Sequence, residues 1–180
     1  MNIKLISHIK LEMHILTKLY NLKNLVRYNP RTKIANESVA EHSFFVALFT
    51  AMIAEKLEMS DSEKLRCITK ALIHDLPEID ISDIPHNVKR KYPEIKEVVE
   101  RAENEWFKKF MPSFENLCTT EEEDDIVEIA DIYSVVQYCE NERRLGNQNF
   151  EDIAENSLNR IATILSKYCT RNREENLNAK

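Results

Sequence analysis

One glycine, Gly146, is all that 180 residues contain. Tight hairpins, bulges and phosphate-cradling loops draw on glycine's tolerance of positive φ, so its near absence disfavours sheet-rich folds. A P-loop and a G-x-G-x-x-G dinucleotide site are excluded outright, because each needs at least two glycines. Paired cysteines are missing as well: the four lie at 67, 118, 139 and 169, with no C-x-x-C and no short Cys/His cluster. Neither a zinc knuckle nor a disulfide framework is indicated, and reduced thiols in a cytoplasmic protein are expected. No run of 18 apolar residues occurs, and the stretch MNIKLISHIKLEMHILTKLY carries Lys10 and Glu12 inside what would be the apolar part of a signal peptide. Neither export nor a membrane partner is expected. A basic excess is also lacking, since 25 Lys and Arg stand against 31 Asp and Glu, a net charge of −6, with the two signs interleaved. A surface that tracks a nucleic-acid backbone is therefore not expected, while small anions remain open to local Arg or Lys.

What is present points to helices. Apolar residues recur at three- and four-residue steps over roughly 2–26, 38–58, 62–75, 93–111, 122–145 and 150–169, which predicts an all-α bundle of about six main helices. Ser38 followed by Glu41 reads as a capping box, and Ser60 or Asp61 can cap the third helix. Pro85 and Pro93 suit first helical turns, and Gly146 stands where a C-terminal cap is wanted after ENERRL. The longest loop candidate is 112–124, PSFENLCTTEEED. With 43% apolar and 31% charged residues, the expectation is one globular domain over 1–170 and a polar tail over 171–180. Phe44, Phe45, Phe49, Met52, Trp106 and Phe107 stand at helical spacing and read as core or as a dimer contact.

Charge inside an apolar stripe is the informative exception, because an unpartnered acid or imidazole there has a desolvation cost. His42 sits in VAEHSFFVALFTAMIA, His74 and Asp75 in CITKALIHDLPEI, and Asp131 in IVEIADIYSVVQY. Gaps of 32 and 56 residues assign them to three different helices. Two imidazoles and two carboxylates brought together form a divalent-metal site whose mixed N and O donors suit Mn, Co, Fe, Ni or Zn better than Ca. Singly, each has a structural reading. His42 and His74 could be hydrogen-bonded core histidines, Asp75 a cap for the turn before Pro77, and Asp131 a buried acid paired with Arg143 or Lys70.

The order H…HD…D resembles the HD-domain metal-dependent phosphohydrolase superfamily. ESVAEHS, ALIHDLPE followed by SDIP, and EIADIYSVVQYCENERRLGN narrow the resemblance to its 5′-deoxynucleotidase branch, the YfbR-like family, over about residues 15 to 165. The resemblance implies an all-helical HD-domain fold, usually a homodimer, that hydrolyses deoxynucleoside 5′-monophosphates with a bound divalent cation. It implies His42, His74, Asp75 and Asp131 as ligands of one metal ion, which could be Mn, Co, Mg, Zn, Ni or Fe. It implies Glu78 and Asp83 as catalytic acids, and Arg27 with Tyr28 as the holders of phosphate and of sugar or base. Several relatives carry tryptophan where this chain has Tyr28. Bland readings stand beside these: Glu78 as an exposed acid at a helix end, Asp83 as the cap of a helix beginning near Pro85, Arg27 as an exposed charge at a helix C-terminus. Two other functional classes also fit the pattern, an HD-type hydrolase of another nucleotide phosphate ester and a catalytically silent nucleotide-binding module. His8 and His14 receive no role.

Overall fold

The structure, a computed structural model, describes residues 13–115, 117 and 119–178. Among them the only strand-like feature is an isolated antiparallel bridge between Val26 and Ser38. The helices in chain order are α1 over residues 13–19, the 3-10 turn η1 (Tyr20–Asn24), α2 (Val39–Lys56), α3 (Asp61–Ile73) and α4 (Glu78–Ile81). They continue with α5 (His86–Lys91), α6 (Pro93–Phe110), α7 (Pro112–Glu115), α8 (Glu121–Arg144) and α9 (Glu151–Asn178). The chain divides into two compact units that alternate along the sequence. One holds Met1–Pro30, Asn36–Ser43 and Ile73–Cys118; the other holds Arg31–Ala35, Phe44–Leu72 and Thr119–Lys180.

In the first unit, α4 packs on η1 and α6, and α6 also packs on α5 and α7. Its buried side chains include Leu22, Val39, Val99 and Trp106. Two chain segments lie side by side here: Arg27 donates its backbone N–H to the Glu37 carbonyl at 2.9 Å, and Val39 does the same to Leu25 at 2.9 Å. That short antiparallel contact feeds directly into α2. Ser38 caps the helix as its sequence implies, with Glu41 accepting from the Ser38 backbone N–H at 2.8 Å and the Ser38 hydroxyl accepting from the Glu41 N–H at 3.2 Å.

In the second unit a core of Val46, Cys67, Ala71, Val127 and Ala130 is lined by Ala47, Phe49, Ile53 and Met59. Here too, Ser60 boxes with Glu63, and Thr120 with Glu123, at the starts of α3 and α8. Glu123 does double work, since the same buried carboxylate accepts from the Arg66 guanidinium. Gly146, at φ 93°, closes α8 with both bonds of a Schellman cap: Gly146 N–H to the Arg143 carbonyl at 3.0 Å and Asn147 N–H to that of Glu142 at 2.9 Å.

Differences from the sequence reading have local causes. Of the expected helix 2–26, residues 2–12 lie outside the described residues, and the rest is helical only to 19 before tightening into η1. The expected loop 112–124 contains α7 and the first turn of α8. Elements of four to six residues, such as α4, α5 and α7, are too short to show a period. Helix α9 runs on through 171–178, a stretch that is polar apart from Leu177. Cys67, Cys139 and Cys169 are free thiols, and Cys118 lies outside the described residues. No helix among the described residues is long and apolar enough to cross a membrane.

Candidate metal centre

Helix α3 ends at Ile73, two residues before the sequence period suggests, and Pro77 explains why. A continuing helix would need the residue 77 N–H to bond the Ile73 carbonyl, and proline has none. The Leu76 N–H takes that carbonyl instead, at 3.0 Å. His74 and Asp75 therefore stand in a turn between α3 and α4 rather than on a helix face. Freed from the 100° divergence of helical neighbours, their side chains meet: His74 Nε2 lies 3.1 Å from Asp75 Oδ2.

His42 reaches the same oxygen from α2, with its Nε2 3.6 Å away. The two imidazole rings are 5.6 Å apart at an interplanar angle of 63°. His42 is fully buried, and the Ser38 cap fixes its height, since its N–H makes the first helical bond to the Ser38 carbonyl at 3.0 Å. Donor atoms of His42, His74 and Asp75 all lie within 4.8 Å of one another. Ligands about 2.1 Å from one tetrahedral ion are roughly 3.4 Å apart, a value bracketed by the 3.1 and 3.6 Å separations here. Two imidazoles and a carboxylate at this spacing fit a divalent transition ion by donor type and by distance.

The acids around this cluster are under strong electrostatic tension. Burial alone would push the Asp75 carboxyl up, but the charges of His74, His42 and Arg27 outweigh it and hold the group well below the usual carboxylate range. Glu78, one turn on, is also buried, and burial together with the charges of Asp75 and Asp83 pushes its carboxyl up to about 9. Its Oε2 makes no hydrogen bond among the described residues. Glu78 is thus no exposed helix-end acid. It opens the short helix α4, its N–H bonded to the Asp75 carbonyl at 3.1 Å. Asp83 is half-buried, and α5 has Pro85 at its cap position with no side-chain cap, so the capping alternative for Asp83 is not realised.

Arg27 is likewise not an exposed helix terminus. Its guanidinium is 3.7 Å from Glu37, both side chains only 12% exposed, and lies 5.3 Å from the Tyr28 ring centre. Tyr28 is half-buried, with its backbone in the left-handed region at φ 57°. Asp131 sits half-buried on α8 in the second unit, while the cations considered for it pair elsewhere, Lys70 with Asp124 and Arg143 with Glu140. Three residues of the first unit escaped the sequence reading: Glu37, Lys89 and Glu103. The Lys89 charge acts on both Glu78 and Glu103. None of the three interrupts an apolar stripe, so periodicity carries no signal for them; only the Arg27 pairing with Glu37 across the two antiparallel segments, and the ion pair of Lys89 with Glu103, reveal them.

Comparison with known proteins identifies the family and the fold. A 5′-deoxynucleotidase of Vibrio vulnificus is 29% identical over 154 residues, 77% of this chain and 79% of its own. The crystal structure of a Pyrococcus horikoshii protein matches with a TM-score of 0.73 and 29% identity, over 93% of this chain and 96% of that one. A cyanophage S-2L HD phosphohydrolase, DatZ, solved with dA and one catalytic Zn2+ ion, shares the fold at 17% identity and a TM-score of 0.60, over 84% of this chain and 96% of its own. The family model described as 5′-deoxynucleotidase YfbR-like matches residues 14–171. An all-α chain matched by that model over nearly its whole length belongs to the YfbR-like 5′-deoxynucleotidase family, within the HD-phosphohydrolase fold.

Proposed function

We propose that the protein is a phosphomonoesterase that releases phosphate from deoxynucleoside or ribonucleoside 5′-monophosphates, using one divalent cation. The observation that carries this is the convergence of His42, His74 and Asp75 on one point beside a buried acid, Glu78. A divalent ion held there neutralises phosphate charge and acidifies water. The fourth donor, Asp131, rests on the H…HD…D pattern and the family likeness.

The chain's own groups account for the rest. Water adds to phosphorus opposite the nucleoside oxygen, the bond from phosphorus to that oxygen breaks, and Glu78 or Asp83 holds the proton the water gives up. Carboxyl groups serve in this way as general acids and bases, and the proton passes on to the departing nucleoside oxygen. Arg27, kept in place by Glu37, steadies the charge on the non-bridging phosphate oxygens with its planar fork of donors. Tyr28 offers a ring beside that guanidinium against which sugar or base can pack. The enzyme is taken to work in the cytoplasm as a homodimer, on the family likeness and the free thiols; sedimentation equilibrium checks the assembly.

The test is a phosphate-release panel of dAMP, AMP and dATP across Mn, Co, Mg, Zn and Ni. Release from monophosphates is expected to exceed that from dATP and to vanish with chelation. Glu78→Gln should lower kcat at least a hundredfold with metal binding retained, in line with the contribution of a general acid-base group, whereas Asp131→Ala should lower metal affinity. An Asp131→Ala protein that binds metal and turns over normally would refute the fourth-ligand assignment.

A further inference from the structure

We infer that Glu37 is a positioning residue that holds the Arg27 guanidinium in fixed register with the His42 imidazole, an inference that rests on the phosphohydrolase reading above. The register comes from the backbone. Val26 and Ser38 pair as an antiparallel bridge, flanked by the Arg27 N–H on the Glu37 carbonyl and the Val39 N–H on that of Leu25, each at 2.9 Å. One residue beyond the bridge, Arg27 and Glu37 are therefore cross-strand partners. Directly opposed side chains of an antiparallel pair share a face, with Cβ atoms roughly 4.5–5.5 Å apart. The guanidinium Nη1 lies 3.7 Å from Glu37 Oε2.

Both side chains are only 12% exposed, so each charge has lost most of its hydration and relies on the other. The Tyr28 ring bounds the guanidinium as well, 5.3 Å from its carbon. An arginine held at its backbone, beside a carboxylate and beside a ring gives up its rotamer freedom on folding rather than on binding phosphate, which is the gain from preorganisation. The other strand of this bracket runs without a break into α2. There the Ser38 carbonyl accepts from the His42 N–H at 3.0 Å, and the Glu41 carboxylate accepts from the Ser38 N–H at 2.8 Å and from its hydroxyl at 2.6 Å. Arg27 holds phosphate usefully only at a set separation from the metal donors, since a misplacement of about 1 Å can cost a hundredfold in rate. Backbone bonds fix most of that separation, and Glu37 fixes its flexible remainder, the arginine side chain.

The experiment is isothermal calorimetry of inorganic phosphate and, separately, of deoxyadenosine, on Mn-loaded wild type, Glu37→Gln, Glu37→Asp, Arg27→Ala and the Arg27→Ala, Glu37→Gln double variant. Steady-state kinetics with dAMP follow, with and without guanidinium added well below denaturing concentrations. Glu37→Gln is expected to weaken phosphate about tenfold, the scale of one charge-assisted contact, with deoxyadenosine affinity unchanged. Glu37→Asp keeps the charge one methylene further back and should lose less; it also decides the matter if the buried amide of Glu37→Gln prevents folding. Guanidinium should restore part of the turnover of Arg27→Ala, where Glu37 remains to hold it, and none in the double variant, a difference that a merely structural ion pair would not produce. Wild-type phosphate affinity in the Glu37 variants overturns the inference, as does an equal loss for deoxyadenosine or a rescue of equal size with and without Glu37. A wild type that releases no phosphate from any nucleoside monophosphate refutes the phosphohydrolase reading instead, and the phosphate calorimetry still decides Glu37.

Discussion

Ser82 holds a backbone conformation that side chains rarely tolerate, φ 66° and ψ 161°, a region populated almost solely by glycine. Such a residue stores roughly 1–3 kcal/mol, and it stands directly before Asp83, whose charge raises Glu78. Ser82→Gly should therefore raise the melting midpoint, by about 1–2 kcal/mol in stability, while lowering kcat for dAMP as Asp83 loses its fixed aim. Urea melts and kinetics on the same preparation check both halves; a variant that gains neither stability nor loses turnover would show that the strain is not held there. Tyr28, at φ 57°, is a second left-handed non-glycine residue of the first unit, adjacent to Arg27. Neither position is legible in the sequence, because serine and tyrosine give no local sign of the backbone region they are forced into.

At the level of elements, the long helices were readable and the reasons are specific. Ser38 with Glu41, Pro93 at the first position of α6 and Gly146 past the end of α8 each announce a terminus through the group they supply. The end of α2 is formed by the same cap geometry as that of α8, with Glu58 at φ 55° where glycine is usual, Glu58 N–H on the Glu55 carbonyl at 3.1 Å and Met59 N–H on that of Ala54 at 3.1 Å. Without glycine it left no mark. The most consequential anchor of the second unit was equally silent: Glu142, fully buried near the end of α8, accepts from the backbone N–H groups of Ile34 at 2.9 Å and Ala35 at 2.6 Å and from the Asn147 amide. Burial opposes the charge, yet these donors prevail and keep the carboxyl below its ordinary 4.5. A depressed folded value means stabilisation that is complete above the ordinary value and disappears as pH falls through the lowered one. Glu142→Gln should cost about 3 kcal/mol at pH 7, the scale of a broken buried charge network, and the gap from wild type should narrow as pH drops below 4.5. Thermal melts between pH 3 and 7 follow it; a gap that stays constant would show that the charge is not what holds residues 34 and 35.

For the whole molecule, the decisive question is whether a divalent ion is part of the folded state. Ion binding confined to the native form adds about 2.7 kcal/mol at a hundred times its dissociation constant, which for a chain of this size is a rise of about 5 to 10 °C in melting midpoint. Chelation should therefore lower the midpoint by that amount and His74→Ala should abolish the difference; equal midpoints with and without chelator in the wild type would contradict an ion at His42, His74 and Asp75. The composition anticipated the all-helical chain, since one glycine in 180 residues leaves little else, and the H…HD motif singled out His42, His74 and Asp75, whose donor atoms lie within 4.8 Å of one another. The surrounding acid and base groups, Glu37, Lys89 and Glu103, were invisible because they sit on polar stretches where charge is unremarkable. Pro77 links these scales. By stopping α3 at Ile73 it forfeits regular helix at the place where His74 and Asp75 are needed side by side. An engineer seeking a sturdier protein would be tempted to straighten that corner, and the straightened version would trade its grip on the ion for a few added backbone bonds.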